Sequence, residues 1–353
     1  MGEGAEVRGE TEGLTRRGLL AGAVAAAAVA PSIFGAGSAS AQVPGWRAVD
    51  VHHHLAPPRW INDVIIARKT GQRPLADWTA ARSIEDMDRG GVARAITSIS
   101  EPGVHFGDAA VARALARECN EYAARLMADH PGRFGMFAIL PLPDVDGALA
   151  EIAYALDTLK ADGICLLTSY QSKYLGDPAF APVMDELNRR KAVVYTHPVR
   201  ADCCRNLVAD VPEPVIELGT DTTRTIASVM FSGTAARCPD IRFIWSHAGG
   251  TAPFLADRLN RWSNARPEFK AKLPDGAIGA MQKFYYDTAA AAHPHALSSL
   301  MQLVKVSQVL LGTDFPFSTS AANHKGLAGF GFSEADLSAI GRGNATRLGL
   351  IKG

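Results

Sequence analysis

Ala48-Val49-Asp50-Val51-His52-His53-His54 is the stretch from which the fold can be read. A short β-prone run ends in three consecutive histidines. Side chains alternate across a strand, so His52 and His54 share one side and His53 takes the other. An H-x-H pair at the end of a strand can therefore present two imidazoles to one ion.

Working outward, similar apolar runs recur with helical segments between them: Ala93–Ile99, Phe134–Leu140, Gly163–Leu167, Ala192–Thr196, Ile241–Ser246, Phe284–Asp287 and Gln308–Gly312 follow Ala48–His52. Strand and helix in alternation imply repeated βα units and a parallel sheet. Helix starts are marked by Ser83-Ile84-Glu85-Asp86, which resembles a capping box, by Asp108 ahead of a stretch reaching about His130, and by Asp144 and Asp177-Pro178. Eight strands each followed by a helix favour a closed α/β barrel, a (β/α)8 TIM barrel in a single domain, over an open doubly wound sheet. No glycine-rich phosphate fingerprint follows the first strand, which argues against a dinucleotide fold. The segments 56–82, 171–176 and 200–219 are long rim loops and candidate lids or substrate walls.

Active sites of such barrels lie at the C-terminal ends of the strands, so the metal site is expected there. Strand five runs into His197-Pro198, strand six into His247-Ala248-Gly249-Gly250, and strand eight into Thr313-Asp314-Phe315-Pro316. His52, His54, His197 and Asp314 together offer three nitrogens and a carboxylate oxygen, a set suited to Zn2+, with Mn2+ as the alternative and room for one more oxygen ligand. His247 beside them is expected to be catalytic, with Gly249-Gly250 letting the backbone approach a ligand. His53, His105, His293 and His324 are expected to be incidental. Tyr170 and Asp287, just past strands four and seven, are candidate substrate contacts, and Asp287 could instead orient an imidazole. Arg59 and Arg73 in the first rim loop could grip an anion, whereas Arg224 is expected to form a structural ion pair.

The chain has 353 residues, 47% of them apolar, and equal totals of 36 basic and 36 acidic side chains, so it can bury a sizeable core and carries no charge bias toward nucleic acid. Its five cysteines include no C-x-x-C pair. Cys203 and Cys204 are adjacent, a poor geometry for a bridge, and all five are expected to be reduced. Thr15-Arg16-Arg17-Gly18-Leu19-Leu20 opens an uncharged Ala-rich stretch ending at Ala39-Ser40-Ala41. This resembles a twin-arginine export signal, residues 1–41, followed by a mature barrel domain of residues 42–353 in the periplasm or secreted. The apolar part is too short for a stable membrane span. Without use of the signal the protein would be cytoplasmic.

Val49-Asp50-Val51-His52-His53-His54, Thr196-His197-Pro198, Ser246-His247-Ala248-Gly249-Gly250, Gly312-Thr313-Asp314-Phe315-Pro316 and Gly343-Asn344-Ala345 together resemble the amidohydrolase-related family typified by aminocarboxymuconate-semialdehyde decarboxylase. Within it, Ala161-Asp162-Gly163-Ile164, Leu167-Thr168-Ser169-Tyr170, Tyr174 to Phe180 and Asn188 to Tyr195 resemble the 6-methylsalicylate decarboxylases. The resemblance implies removal of CO2 from an aromatic or unsaturated carboxylic acid, such as a hydroxybenzoate, with a metal and no organic cofactor. It assigns His52, His54, His197 and Asp314 as metal ligands and His247 as the acid/base, with the ring carbon protonated by His247 or by Asp314 acting through a metal-bound water. It also matches Arg258 to an arginine that reaches the neighbouring subunit's substrate carboxylate, and so implies a homodimer. Strand one carries H-x-H, where some hydroxybenzoate decarboxylases carry E-x-H. The alternative is a single-metal hydrolase (lactonase or amidohydrolase) or a hydratase on a small carboxylic acid, since fold alone does not choose. Leu167-Thr168-Ser169 brings no Lys or Glu to bridge a second ion, which disfavours two-metal hydrolysis. A non-catalytic binding protein would need the four ligands but not His247.

Overall fold

The computed structural model describes residues 46–70 and 72–351; the twin-arginine segment and its cleavage pattern lie outside the described residues. The barrel strands are β1 Ala48–His54, β2 Val92–Ser98, β3 Phe134–Ile139, β4 Gly163–Leu167, β5 Val193–His197, β6 Arg242–Trp245, β7 Tyr285–Asp287 and β8 Val309–Leu310. They are hydrogen-bonded in sequence order, every pair parallel. The ring closes where chain beyond β8 meets β1: Val51 N–H donates to Leu311 O at 2.9 Å and His54 N–H to Phe315 O at 2.9 Å, with a parallel bridge between His53 and Phe315.

A helix follows each strand: α1 Ala80–Gly90, α2 Ala109–Asp129, α3 Val145–Ala153, α4 Ala181–Arg189, α5 Pro214–Phe231, α6 Ala256–Ala265, α7 Pro294–Leu303 and α8 Ser320–Gly329. Asp108 caps α2 by accepting from Ala110 N and Val111 N, and Asp144 caps α3 by accepting from Gly147 N. The start of α1 corrects the sequence reading. Its cap is Thr79, which accepts from Arg82 N, because Ala80, Ala81 and Arg82 are good helix formers that extend the helix by a turn. Ser83 lies inside α1 and bonds His53 Nε2 at 3.1 Å instead.

Inside the barrel, aromatic rings fill the layer beneath the site. Tyr195 stacks on Phe137 with centroids 5.2 Å apart and meets His52 edge-on at 5.3 Å. Tyr195 precedes His197 by two residues, so strand alternation puts both on the inner face. Of the cysteines, Cys119, Cys165 and Cys238 are free and buried. Cys203 and Cys204 depart from expectation and form a vicinal disulfide. Their Cα atoms are 3.8 Å apart, short of the usual range; the tight turn Asp202–Cys204 brings the two sulfurs together. Among the described residues no helix is long and apolar enough to cross a membrane.

Candidate metal centre

The barrel seam assembles the site. Asp314 N–H donates to His52 O at 2.8 Å, which puts the segment after β8 directly over the H-x-H of β1. Asp50 fixes its approach, accepting from Thr313 Oγ1 at 2.6 Å and from Thr313 N at 3.0 Å. Asp314 and His247 both hold left-handed backbone, with φ of 63° and 54°. Non-glycine residues there cost of order 1–3 kcal/mol, a strain typical of functional positions.

His52, His54, His197 and Asp314 place one potential ligand atom each within 4.8 Å of one another. The outer nitrogen of each ring is engaged by an oxygen: His52 Nδ1 by Asp287 Oδ2 at 2.8 Å, His54 Nδ1 by Ser98 O at 3.3 Å, and His197 Nδ1 by Pro198 O at 2.8 Å. Each Nδ1 is thereby held as the N–H donor, so each Nε2 carries a lone pair toward the centre. His52 Nε2 is buried and stands 3.1 Å from Asp314 Oδ1. A nitrogen lone pair facing a carboxylate oxygen in a buried site is costly, and a cation between the two would satisfy both. The residues present thus fit a metal ion.

Electrostatics agree. Burial pushes His197 well below its ordinary value and lowers His54, which keeps both imidazoles neutral as metal ligation requires. Burial would also lower His52, but Asp287 and Asp314 outweigh it and lift the group to about 10. Burial would raise Asp314, yet His52, His247 and His54 hold its carboxyl well below the usual carboxylate range. That imbalance of two carboxylates against one imidazole is the field a divalent cation would neutralise.

His247 lies 3.5 Å by Nε2 from Asp314 Oδ2, with its ring centroid 4.9 Å from that of His52. Its side chain is 12% exposed, against zero for His52 and His54, so it is the imidazole that solvent can reach. Asp287 turns out to be an orienting residue: besides His52, it accepts from His247 N at 2.8 Å and Ala289 N at 3.0 Å. The Gly-Gly pair after His247 is required by packing. A Cβ on Gly249 would stand 2.8 Å from the Tyr286 ring, and Gly250 packs against the Gly219 carbonyl. The glycine that makes room at the site is Gly312, whose missing Cβ would stand 2.8 Å from Asp287 Cγ and 3.0 Å from His52 Cβ.

Beside the cluster a cavity of about 580 Å³ opens over the ends of β2 to β5, within the size range of small-molecule sites. Tyr170 lines it, buried, with its hydroxyl accepting from Leu167 N at 2.8 Å. Arg59 is not brought to the cavity; its guanidinium pairs with Glu118 at 2.7 Å and Asp63 at 3.2 Å. Arg73 is exposed on a short helical turn. Arg258 points to solvent from α6, and Arg224 pairs with Glu217 as expected. Of the histidines read as incidental, His53 is bonded to Asp50 and Ser83 on the outer face, and His293 caps α7. Missed altogether was a buried network at the rim, where Glu101 accepts from Gln72 Nε2 at 2.8 Å and pairs with Arg200 Nε at 2.9 Å. Its members are far apart in sequence, and no local signal links them.

Comparison with known proteins places this geometry among relatives. Residues 49–348 match the family described as Amidohydrolase. The decarboxylase yanB of Aspergillus niger is 37% identical, over 85% of this chain and 86% of its own. The 6-methylsalicylic acid decarboxylase acuB of Aspergillus aculeatus is also 37% identical, over 76% of this chain and 84% of its own. Among solved structures, 2,6-dihydroxybenzoate decarboxylase from Rhizobium superposes with a TM-score of 0.77 at 25% identity, covering 87% of this chain and 99% of that one.

Proposed function

The chain belongs to the amidohydrolase family, and from that premise we propose that it is a metal-dependent carboxy-lyase, removing CO2 from a hydroxybenzoate such as a 6-methylsalicylate-like acid without an organic cofactor. The observation that carries the reading is the convergence of three Nε2 atoms and Asp314, with the partly exposed imidazole of His247 alongside. The decarboxylases among its relatives support it. Zn2+ suits three nitrogens and one oxygen, and Mn2+ is the second choice.

Held by His52, His54, His197 and Asp314, a bound ion would supply Lewis-acid polarisation of the acid. The remaining chemistry falls to the chain. His247 donates a proton to the ring carbon that bears the carboxylate, a ring π pair forming the new C–H bond. The C–C bond to the carboxylate then breaks, its electron pair restores the aromatic ring, and CO2 leaves. Acid and proton thus become phenol and CO2 with no redox change. Asp314 holds the His247 ring through Oδ2, and exposure of His247 lets it regain a proton from solvent. Tyr170 and the apolar wall around it keep water from the ring.

The proposal extends to a homodimer in which Arg258 serves the neighbour's substrate. Arg258 is followed one helical turn later by Trp262, 49% exposed, and Phe254 just ahead of α6 is 82% exposed. Such solvent-facing aromatics beside an arginine are typical of interfaces. It includes a twin-arginine leader, residues 1–41, directing the protein to the periplasm or outside the cell; amino-terminal sequencing of exported protein beginning at Gln42 supports this, and an intact leader on fully active cytoplasmic protein refutes it.

The test of activity is incubation of metal-loaded protein with salicylates, other hydroxybenzoates and matched lactones and esters. Chelator-sensitive CO2 release with formation of the phenol is the expected result. Chelator-sensitive lactone or ester opening with no CO2 overturns it in favour of a hydrolase.

A further inference from the structure

His52 and His54 take their Nδ1 partners from groups that are themselves held. Asp287 is fixed by two backbone N–H groups, and the carbonyl of Ser98, at the end of β2, also accepts from Leu55 N at 3.1 Å. His197 differs, because its partner is the carbonyl of the next residue, Pro198, in irregular chain beyond β5. Proline has no N–H with which to fix its own position. The anchor is Thr168, one residue past β4. Thr168 N–H donates to His197 O at 2.9 Å, and Thr168 Oγ1 accepts from Val199 N at 3.0 Å. One residue thus grips the peptide groups on both sides of Pro198.

The carbonyl of Pro198 and the N–H of Val199 belong to one planar unit, so holding one end aims the other. Thr168 is in turn set by Asp221 of α5. Its hydroxyl donates to Asp221 Oδ2, while Tyr174 OH donates to Asp221 Oδ1 at 2.7 Å. Thr168 and Asp221 are both fully buried, and a carboxylate is costly to bury unless hydrogen bonds hold it there. With its proton committed to Asp221, the Thr168 oxygen turns a lone pair to Val199 N–H. We propose that Thr168 and Asp221 are positioning residues for the metal ligand His197. They clamp the Pro198–Val199 peptide so that its carbonyl keeps the ring proton on Nδ1 and leaves the Nε2 lone pair for the ion. The inference rests on the metal-centre reading and is independent of the reaction catalysed.

The test has two readouts, neither of which needs turnover. Zn2+ affinity is measured by competition with a chelating indicator. The tautomer of His197 is read from the ring 15N signals of histidine-labelled apo protein, assigned by the signals lost in His197→Gln. Thr168→Val removes the hydroxyl and keeps the side chain's shape, and Thr168→Ser keeps the hydroxyl. Thr168→Val should raise the Zn2+ Kd about tenfold, the low end for partners that orient a ligand, and should bring up the Nε2–H form of His197. Thr168→Ser should stay close to the unmodified protein in both readouts. A structural loss alone lowers Tm without moving the ring proton, so the tautomer separates the two roles. Asp221→Asn must offer its N–H2 to one of the two hydroxyls, and should shift both readouts the same way by a smaller factor; it decides the matter if Thr168→Val does not fold. Unchanged Zn2+ affinity and ring signals in Thr168→Val, or a Thr168→Ser protein as impaired as Thr168→Val, overturns the proposal. If the unmodified protein binds no Zn2+, the reading of the site as a zinc centre fails, and the ring signals still decide whether Thr168 sets the tautomer.

Discussion

Replacement of Asp287 by Asn tests how the centre is built. Asp287 Oδ1 accepts from two backbone N–H groups, and an amide oxygen can keep both. Its Oδ2, 2.8 Å from His52 Nδ1, becomes an N–H2 donor facing a donor. The imidazole must then move its proton to Nε2, the atom that faces the metal centre, and lose its ligand lone pair. Partners of this kind contribute about 10–100-fold to metal affinity, which is about 1.4–2.8 kcal/mol. Competition with a chelating indicator should show the metal Kd of Asp287→Asn rising by about that factor, with the fold intact by circular dichroism. CO2 release should recover at saturating metal less than in full. An unchanged metal Kd would refute the tautomer argument, since nothing else in the substitution removes a metal ligand.

His247→Ala should bind metal as the unmodified protein does yet lose about 10²–10⁴-fold in kcat, checked by metal content and CO2 evolution. Gly312→Ala forces a methyl against Asp287 and His52; overpacking of this kind costs about 1–3 kcal/mol and should lower Tm by several degrees and weaken metal binding together, whereas an unchanged Tm would show that the site has slack. Mixing inactive Arg258→Ala and His247→Ala proteins through subunit exchange should restore activity if the arginine acts across a dimer interface, and a persistently inactive mixture places it in its own subunit or outside the reaction. Hydrogen bonding to Arg189, then to Arg190, holds Glu186 down at about 2, from 4.5 when unpaired. A carboxyl depressed in the folded state stabilises above its unfolded value and loses that contribution as pH falls from about 4.5 toward about 2; the Tm deficit of Glu186→Gln should therefore be larger at pH 7 than at pH 4.

Much of this was legible because barrels write their layout locally. Each strand is a short apolar run between helices, and the runs read from sequence agree with β1 to β8 to within two residues at each end. The ligands were legible for a related reason, since strand alternation sends His52 and His54 to one side while rim position selects His197 and Asp314. What stayed hidden depends on contacts between distant segments. Asp50 looks like any strand residue until Thr313 is found against it. Glu101 and Arg200 meet across 99 positions. Ser83 has a neighbourhood that permits a cap, but its hydroxyl is taken by His53 of β1. Membership of a rim loop does not set the aim of Arg59, which is decided by Glu118 on α2.

The seam between β1 and the segment after β8 joins chain that is 260 residues apart at His54 and Asp314. Closing a loop of that length costs roughly 5 kcal/mol in chain entropy. An ion gripping both sides works there as a removable crosslink between the two ends of the domain. Its loss would leave a ring held at its joint by a few hydrogen bonds, so the first part of the apo protein to open should be the joint itself, with the middle of the barrel still formed.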